Sequence, residues 1–115
     1  MVPNIFKIVD SEVLAEAREA GHFSGAGIDL QDGYIHFSTA AQVRETARLH
    51  FAGRDGLVIF AVPSERLGDA LKWEASRGGQ LFPHLYDVLQ LADIAWDKPL
   101  PWNGVAHDFP PEVFA

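Results

Sequence analysis

Tyr34, His36 and Ser38 stand at alternate positions of one short stretch and offer a phenol, an imidazole and a hydroxyl. The residues Tyr34-Ile35-His36-Phe37 are aromatic or β-branched in the main, the composition that strands favour. Side chains alternate along a strand, so these three share one face while Ile35 and Phe37 form the apolar face behind them. Asp32-Gly33 in front is a turn signal. Thr39-Ala40-Ala41-Gln42 has the form of a capping box, which opens a helix. A helix N-terminus carries free backbone N–H groups and a partial positive charge, suited to phosphate or ribose oxygens. Tyr34, His36, Ser38 and Thr39 are therefore candidate ligand-binding residues. Each also has a structural reading, Ser38 and Thr39 as helix caps and His36 as a half-buried histidine bonded within the fold.

A second set lies in residues 71–86. Leu71, Trp73 and Ala75 alternate with Lys72, Glu74 and Ser76, and Arg77-Gly78-Gly79-Gln80 is a hairpin signal. The returning strand, 81–86, carries His84 and Tyr86, and Pro83 argues for an edge position or a bulge. With a two-residue Gly78-Gly79 turn, Trp73 and Tyr86 become aromatic walls on the same face as His84. A three-residue loop with a bulge instead brings Glu74 to the side of His84, where the two make an acid–base pair. Both registers are open at the level of sequence. His84 and Glu74 are the candidate catalytic groups, and Trp73 and Tyr86 the candidate stacking residues, with core packing as the structural alternative for both aromatics.

Other elements must hold these sets in place. Residues 5–9 are a short apolar strand. Asp10 or Ser11 can cap the helix after it, whose stripe is Val13, Leu14, Ala17 and Ala20 and whose end is Gly21. Residues 22–31 read as a loop. The helix over 40–50 should bury Val43, Thr46, Ala47, His50 and Phe51. Residues 57–62 are an unbroken apolar run, the pattern of a central strand covered on both faces. Residues 64–67 suit one helical turn, and 88–96 suit a further strand with an irregularity at Asp93. From Asp97 a proline-rich tail should strap across the domain, anchored by Trp102, Phe109 and Phe114. Two main helices and about six strands predict an α+β fold with one mixed, curved sheet. Residues 1–115 are expected to form a single domain, with 97–115 as an extended tail packed on it.

Composition narrows the function classes. The formal net charge of −7 argues against bulk binding to nucleic acid or to an anionic membrane, and the nine Lys and Arg residues form no run. No apolar stretch approaches a membrane span, and residues 1–7 lack the pattern of a signal peptide, so a cytoplasmic protein is expected. The absence of cysteine removes thiolate and disulfide chemistry. Five histidines show no metal-ligand spacing, so no metal is expected. No Gly-x-Ser-x-Gly elbow marks a serine nucleophile.

The opening strand and helix, Asp32-Gly33-Tyr34-Ile35-His36-Phe37-Ser38-Thr39-Ala40, Trp73-Glu74 and Leu81-Phe82-Pro83-His84-Leu85-Tyr86 together resemble a short bacterial family. It is the domain-of-unknown-function family nine-five-two, and the resemblance extends to about Trp96. It implies a fold related to the ADP-ribosyltransferase superfamily, which includes toxins, poly-ADP-ribose polymerases and RNA 2′-phosphotransferases. Those enzymes carry a strand with His, one residue, then Ser or Thr, a pattern matched by His36-Phe37-Ser38. The resemblance implies that His36 meets a ribose hydroxyl of NAD, that Ser38 and Thr39 organise the site, and that Tyr86 or Trp73 stacks on a base. Many members use a late-strand glutamate, but this chain has none between Glu74 and Glu112. His84 or Glu74 would have to replace it. The expectation is a nucleotide-like small-molecule ligand, with NAD as substrate, and transfer of ADP-ribose or action on a 2′-phosphate. The alternative is a non-catalytic ligand-binding or protein-interaction module.

Overall fold

The apolar run read as a central strand is the spine of the molecule. In the computed structural model, which describes residues 3–115 and only the backbone at Arg77, it forms Leu57–Pro63. Met1 and Val2, part of the N-terminal stretch read above, lie outside the described residues. Leu57–Pro63 (β4) lies between Asn4–Asp10 (β1) and Trp96–Pro99 (β8), antiparallel to both. Its alternate side chains feed two cores. Phe60 and Val62 pack with Ile5, Val9, Leu14 and Phe37 on one side. Leu57, Ile59 and Ala61 pack with Phe6, Ile8, Val43 and Leu100 on the other. Each of these buried side chains larger than alanine contributes about 1.5–3 kcal/mol by leaving water.

Ser11–Ala20 (α1) follows β1 and buries Leu14 and Ala17. Gly21 closes it at φ 82°, a left-handed conformation that glycine adopts without a Cβ clash. His22–Phe23 (β2) then pairs with Leu89–Gln90 (β7). The supposed loop over 22–31 also contains a short helix, Ile28–Asp32 (α2), ended by Gly33 at φ 83°. Ile35–His36 (β3) joins Leu81–Leu85 (β6), which pairs with Leu71–Ala75 (β5), in the order β3-β6-β5. Val43–His50 (α3) buries Val43 and Ala47, leaves His50 exposed, and starts three residues later than expected because residues 40–42 form a turn.

The α+β class is as expected, with several antiparallel strands and few helices. The single mixed sheet is not. Among the described residues there are three sheets, all antiparallel. A lone bridge joins the two larger ones: Phe6 N–H donates to the Ser38 carbonyl at 2.8 Å, and Ser38 N–H donates to the Phe6 carbonyl at 2.9 Å. Residues 88–96 do not form one strand, because a 3-10 turn at Leu91–Asp93 sends the chain from β7 to a different sheet at β8. After β4, Ser64–Ala70 holds two 3-10 turns broken at Gly68 (φ 60°, ψ −145°), the first of them the helical turn expected over 64–67.

Pro83 sits in the middle strand β6, not at an edge. The N and O of a strand residue point the same way, and the Pro83 carbonyl accepts from Phe37 N–H at 3.0 Å. Its missing donor therefore faces Phe37, at the end of the β3 pairing, where the next residue, Ser38, already bridges to Phe6. In the tail, Leu100 and Val113 are the buried anchors, with Phe109 packed against their cluster. Trp102 stays half-buried against His107, and Phe114 is exposed beneath the Arg44 guanidinium.

Candidate functional site

The β5–β6 register decides which candidates can meet. Ser76 N–H donates to the Gln80 carbonyl, and Trp73 opposes Pro83, Glu74 opposes Phe82 and Lys72 opposes His84. The connection is thus the three-residue Arg77–Gly79 loop. That register puts Glu74 on the His84 face and Trp73 on the reverse face, where the residue is 43% exposed. Trp73 is therefore not a wall of this site.

His36 and His84 are direct cross-strand partners, and Tyr34 stands two pairs further along, past Ile35 and Leu85, beside Tyr86. The ring centroids of His36 and His84 are 5.3 Å apart. Tyr34 stacks on His84 at 4.3 Å and touches His36 at 4.6 Å and Tyr86 at 5.0 Å. The face read from the Tyr34–Ser38 alternation is real: Ile35 and Phe37 are buried in the core behind it.

Each histidine is steered by a carboxylate. Glu74 Oε1 accepts from His84 Nδ1 at 2.8 Å and from the Tyr86 hydroxyl at 2.7 Å. Those two bonds hold the Glu74 carboxyl below its ordinary range, and the bond to Glu74 pushes the Tyr86 phenol up to about 12. Burial, with Asp32 and Glu74 nearby, raises Tyr34 as well. His36 Nδ1 meets Asp29 Oδ1 at 2.6 Å, and its Nε2 meets Asp32 Oδ2 at 3.0 Å.

Asp29 was not visible as a site residue. It sits in the span read as a loop, yet its side chain is 1% exposed and collects donors from four directions. Lys7 Nζ lies 2.8 Å from Oδ2 and 3.1 Å from Oδ1. The backbone N–H groups of His36 and Ala26 donate to Oδ1 at 3.1 Å and to Oδ2 at 3.0 Å. Burial alone would raise the Asp29 carboxyl, but the His36 ring, the Lys7 charge and the Ala26 amide together bring it down to about 2. Lys7 is lowered by burial, against the pull of Asp29, and also donates to the His36 carbonyl at 2.9 Å. One signal for Lys7 was present: it interrupts the apolar run Ile5-Phe6-Lys7-Ile8-Val9 on an inward face, between Ile5 and Val9.

A cavity of about 460 Å³ opens between the two large sheets, at the place where the Phe6–Ser38 bridge joins them. His36, His84, Lys7, Asp29 and Ser38 line one part of it; Thr46, His50, Phe51 and Arg54 line another. Ser38 is buried and bonded to the Thr46 hydroxyl at 2.8 Å. Thr39 lies outside the lining. Its N–H donates to the Gln42 side-chain oxygen at 3.0 Å and its carbonyl accepts from the Gln42 and Val43 N–H groups, so it serves the turn into α3. Tyr34, Glu74 and Tyr86 also stand outside the lining, Tyr34 and Glu74 on the histidines that form it and Tyr86 on those two in turn. Among the described residues no group of three or more His, Cys, Asp or Glu is placed to hold a metal ion. No described helix is long and apolar enough to cross a membrane.

Comparisons with known proteins agree on the family and are silent on activity. A family model described as "Protein of unknown function (DUF952)" matches residues 8–97. Protein CC0527 of Caulobacter crescentus is similar in its crystal structure, with 38% identity over 97% of this chain and 99% of that one and a TM-score of 0.93. Its solution structure by NMR matches at 39% identity over 95% and 94% of the two chains, with a TM-score of 0.83. No curated protein matches the chain.

Proposed function

The chain belongs to the DUF952 family of proteins of unknown function, and from that premise we propose that its cavity binds NAD or a related ribose-phosphate compound in the cytoplasm. In this reading the fold is ADP-ribosyltransferase-like. His36 contacts a ribose hydroxyl, Ser38 lines the wall beside it, and Tyr34 and Tyr86 supply aromatic surface on the solvent side. His84, oriented by Glu74, is the acid–base group, and the reaction class is transfer of ADP-ribose or action on a 2′-phosphate. One observation carries the reading. His36 and His84 come from different strands, line the same cavity and lie 5.3 Å apart, and its volume of about 460 Å³ is within the range of small-molecule sites.

Calorimetric titration of NAD and ADP-ribose into wild type and His36→Ala tests it. Binding by wild type that is weakened in the variant is expected; no heat at millimolar ligand would sink the NAD version. Glu74 favours a second reading, a non-catalytic binding module. Its Oε1 is already committed to His84 and Tyr86, and no later glutamate precedes Glu112 on the tail. Nicotinamide release from NAD distinguishes the two, since a binding module produces none.

A further inference from the structure

The sheet β3-β6-β5 ends at β5, and among the described residues no strand pairs with its outer edge. The ladder to β6 fixes which backbone groups face outward. Tyr86 N–H donates to the Ala70 carbonyl and Ser76 N–H to the Gln80 carbonyl. Ladder bonds fall on alternate residues, so Lys72 and Glu74 also turn their groups toward β6, while Leu71, Trp73 and Ala75 turn theirs outward. Leu71 N–H bonds back to the Gly68 carbonyl. The Leu71 carbonyl and both groups of Trp73 and Ala75 are left for solvent or for another strand. Proteins guard such edges with proline, with bulges or with charges that a neighbour cannot match. β5 holds no proline, and its five pairs with β6 run without a bulge.

Its charges match a second copy of itself. In Leu71-Lys72-Trp73-Glu74-Ala75 a cation and an anion flank Trp73 symmetrically. With two such edges antiparallel and Trp73 opposite Trp73, each Lys72 stands opposite the other chain's Glu74. The outward groups meet in the same register: the two tryptophans exchange N–H and carbonyl, and each Ala75 N–H reaches the other Leu71 carbonyl. The adjacent registers that also match outward groups set Lys72 against Lys72, or Glu74 against Glu74, and like charges directly opposite are unfavourable. Trp73 and Leu81 share the reverse face and are 43% and 55% exposed, so apolar surface lies beside the edge to be covered.

We propose that two copies of this chain associate edge to edge through β5, about a two-fold axis at Trp73. The result is one continuous antiparallel sheet in the order β3-β6-β5-β5-β6-β3. Trp73, which takes no part in the cavity, becomes the central contact, its ring beside that of the partner's Trp73. The pairing also borders the candidate site. The partner's Lys72 comes to Glu74, whose Oε1 accepts from both His84 and Tyr86.

Sedimentation equilibrium of the full chain, up to millimolar concentration, should show the mass rising from one chain toward two. About 0.15 M salt suits the measurement, because it screens the repulsion between chains of net charge −7 beyond about 8 Å. Lys72→Glu turns two cross-strand attractions into repulsions and should weaken association about tenfold or more. Its amide NMR spectrum should remain that of the wild-type fold, since Lys72 is exposed. Val105→Ser, at an exposed apolar position on the tail, should leave association unchanged. The chain has no cysteine, so cross-linking reads the register. Trp73→Cys sets two Cα atoms about 5.5 Å apart across the axis, within disulfide reach, and should give a covalent dimer in a glutathione redox buffer. Ala75→Cys, whose counterpart across the axis is Leu71, should not. A single-chain mass at millimolar concentration, a dimer untouched by Lys72→Glu, or equal cross-linking of the two cysteine variants overturns the proposal.

Discussion

Replacing Asp29 by asparagine keeps the shape of the side chain and removes its charge, leaving the Lys7 ammonium, 11% exposed, without its counter-ion. The carboxyl falls from 3.8 to about 2 on folding, which corresponds to about 2 kcal/mol of stability. Orphaning a buried partner typically costs about 3–5 kcal/mol. A loss of about 2–5 kcal/mol is therefore expected for Asp29→Asn, read as a drop of about 1–2 M in the urea midpoint. The sign with pH follows from the depressed carboxyl. Its stabilisation is fully present above the unfolded value of 3.8 and is lost as pH falls through about 2. Wild type should show this acid limb and Asp29→Asn should lack it. Adding Lys7→Met to Asp29→Asn should recover part of the loss, because the unpaired charge is gone. A single variant within about 0.5 kcal/mol of wild type, with the acid limb intact, would refute the reasoning.

Three further expectations concern the surroundings of the site. Glu74→Gln should move the higher-titrating of the two tyrosines down from about 12, seen by ultraviolet titration, because the bond from Tyr86 to a carboxylate is lost. Tyr86→Phe should raise the Glu74 carboxyl toward its ordinary value in a carbon-13 NMR titration, having removed the foremost cause of its depression. Val113→Ala should cost about 2 kcal/mol in urea unfolding, since it opens a gap where the tail meets the core beside Leu100 and Val43.

Local alternation made the polar face of Tyr34, His36 and Ser38 legible, because strand geometry depends only on neighbours in the chain. The central strand was legible for a similar reason, its run being apolar on both faces. The hairpin was not. Arg77-Gly78-Gly79 supports two loop lengths, and one residue of slip decides whether Glu74 or Trp73 meets His84. The tertiary register chose Glu74. Asp29 escaped notice because its partners Lys7 and His36 lie 22 and 7 residues away, and no short-range pattern marks a carboxylate that folding will bury. The tail was misjudged by size: Trp102 and Phe114 are large, but Leu100 and Val113 are the residues that reach the core. The 3-10 turn at Leu91–Asp93 was reduced to an irregularity at Asp93, when in fact it separates strands of different sheets.

The central claim is that His36 and His84 face one ligand. Nitrogen-15 NMR of the imidazole signals during titration with ADP-ribose tests it most directly. Both rings should shift together along a single saturation curve, while His22, on β2 outside the cavity lining, stays still. Shifts absent at millimolar ADP-ribose, or present at only one of the two rings, would contradict it.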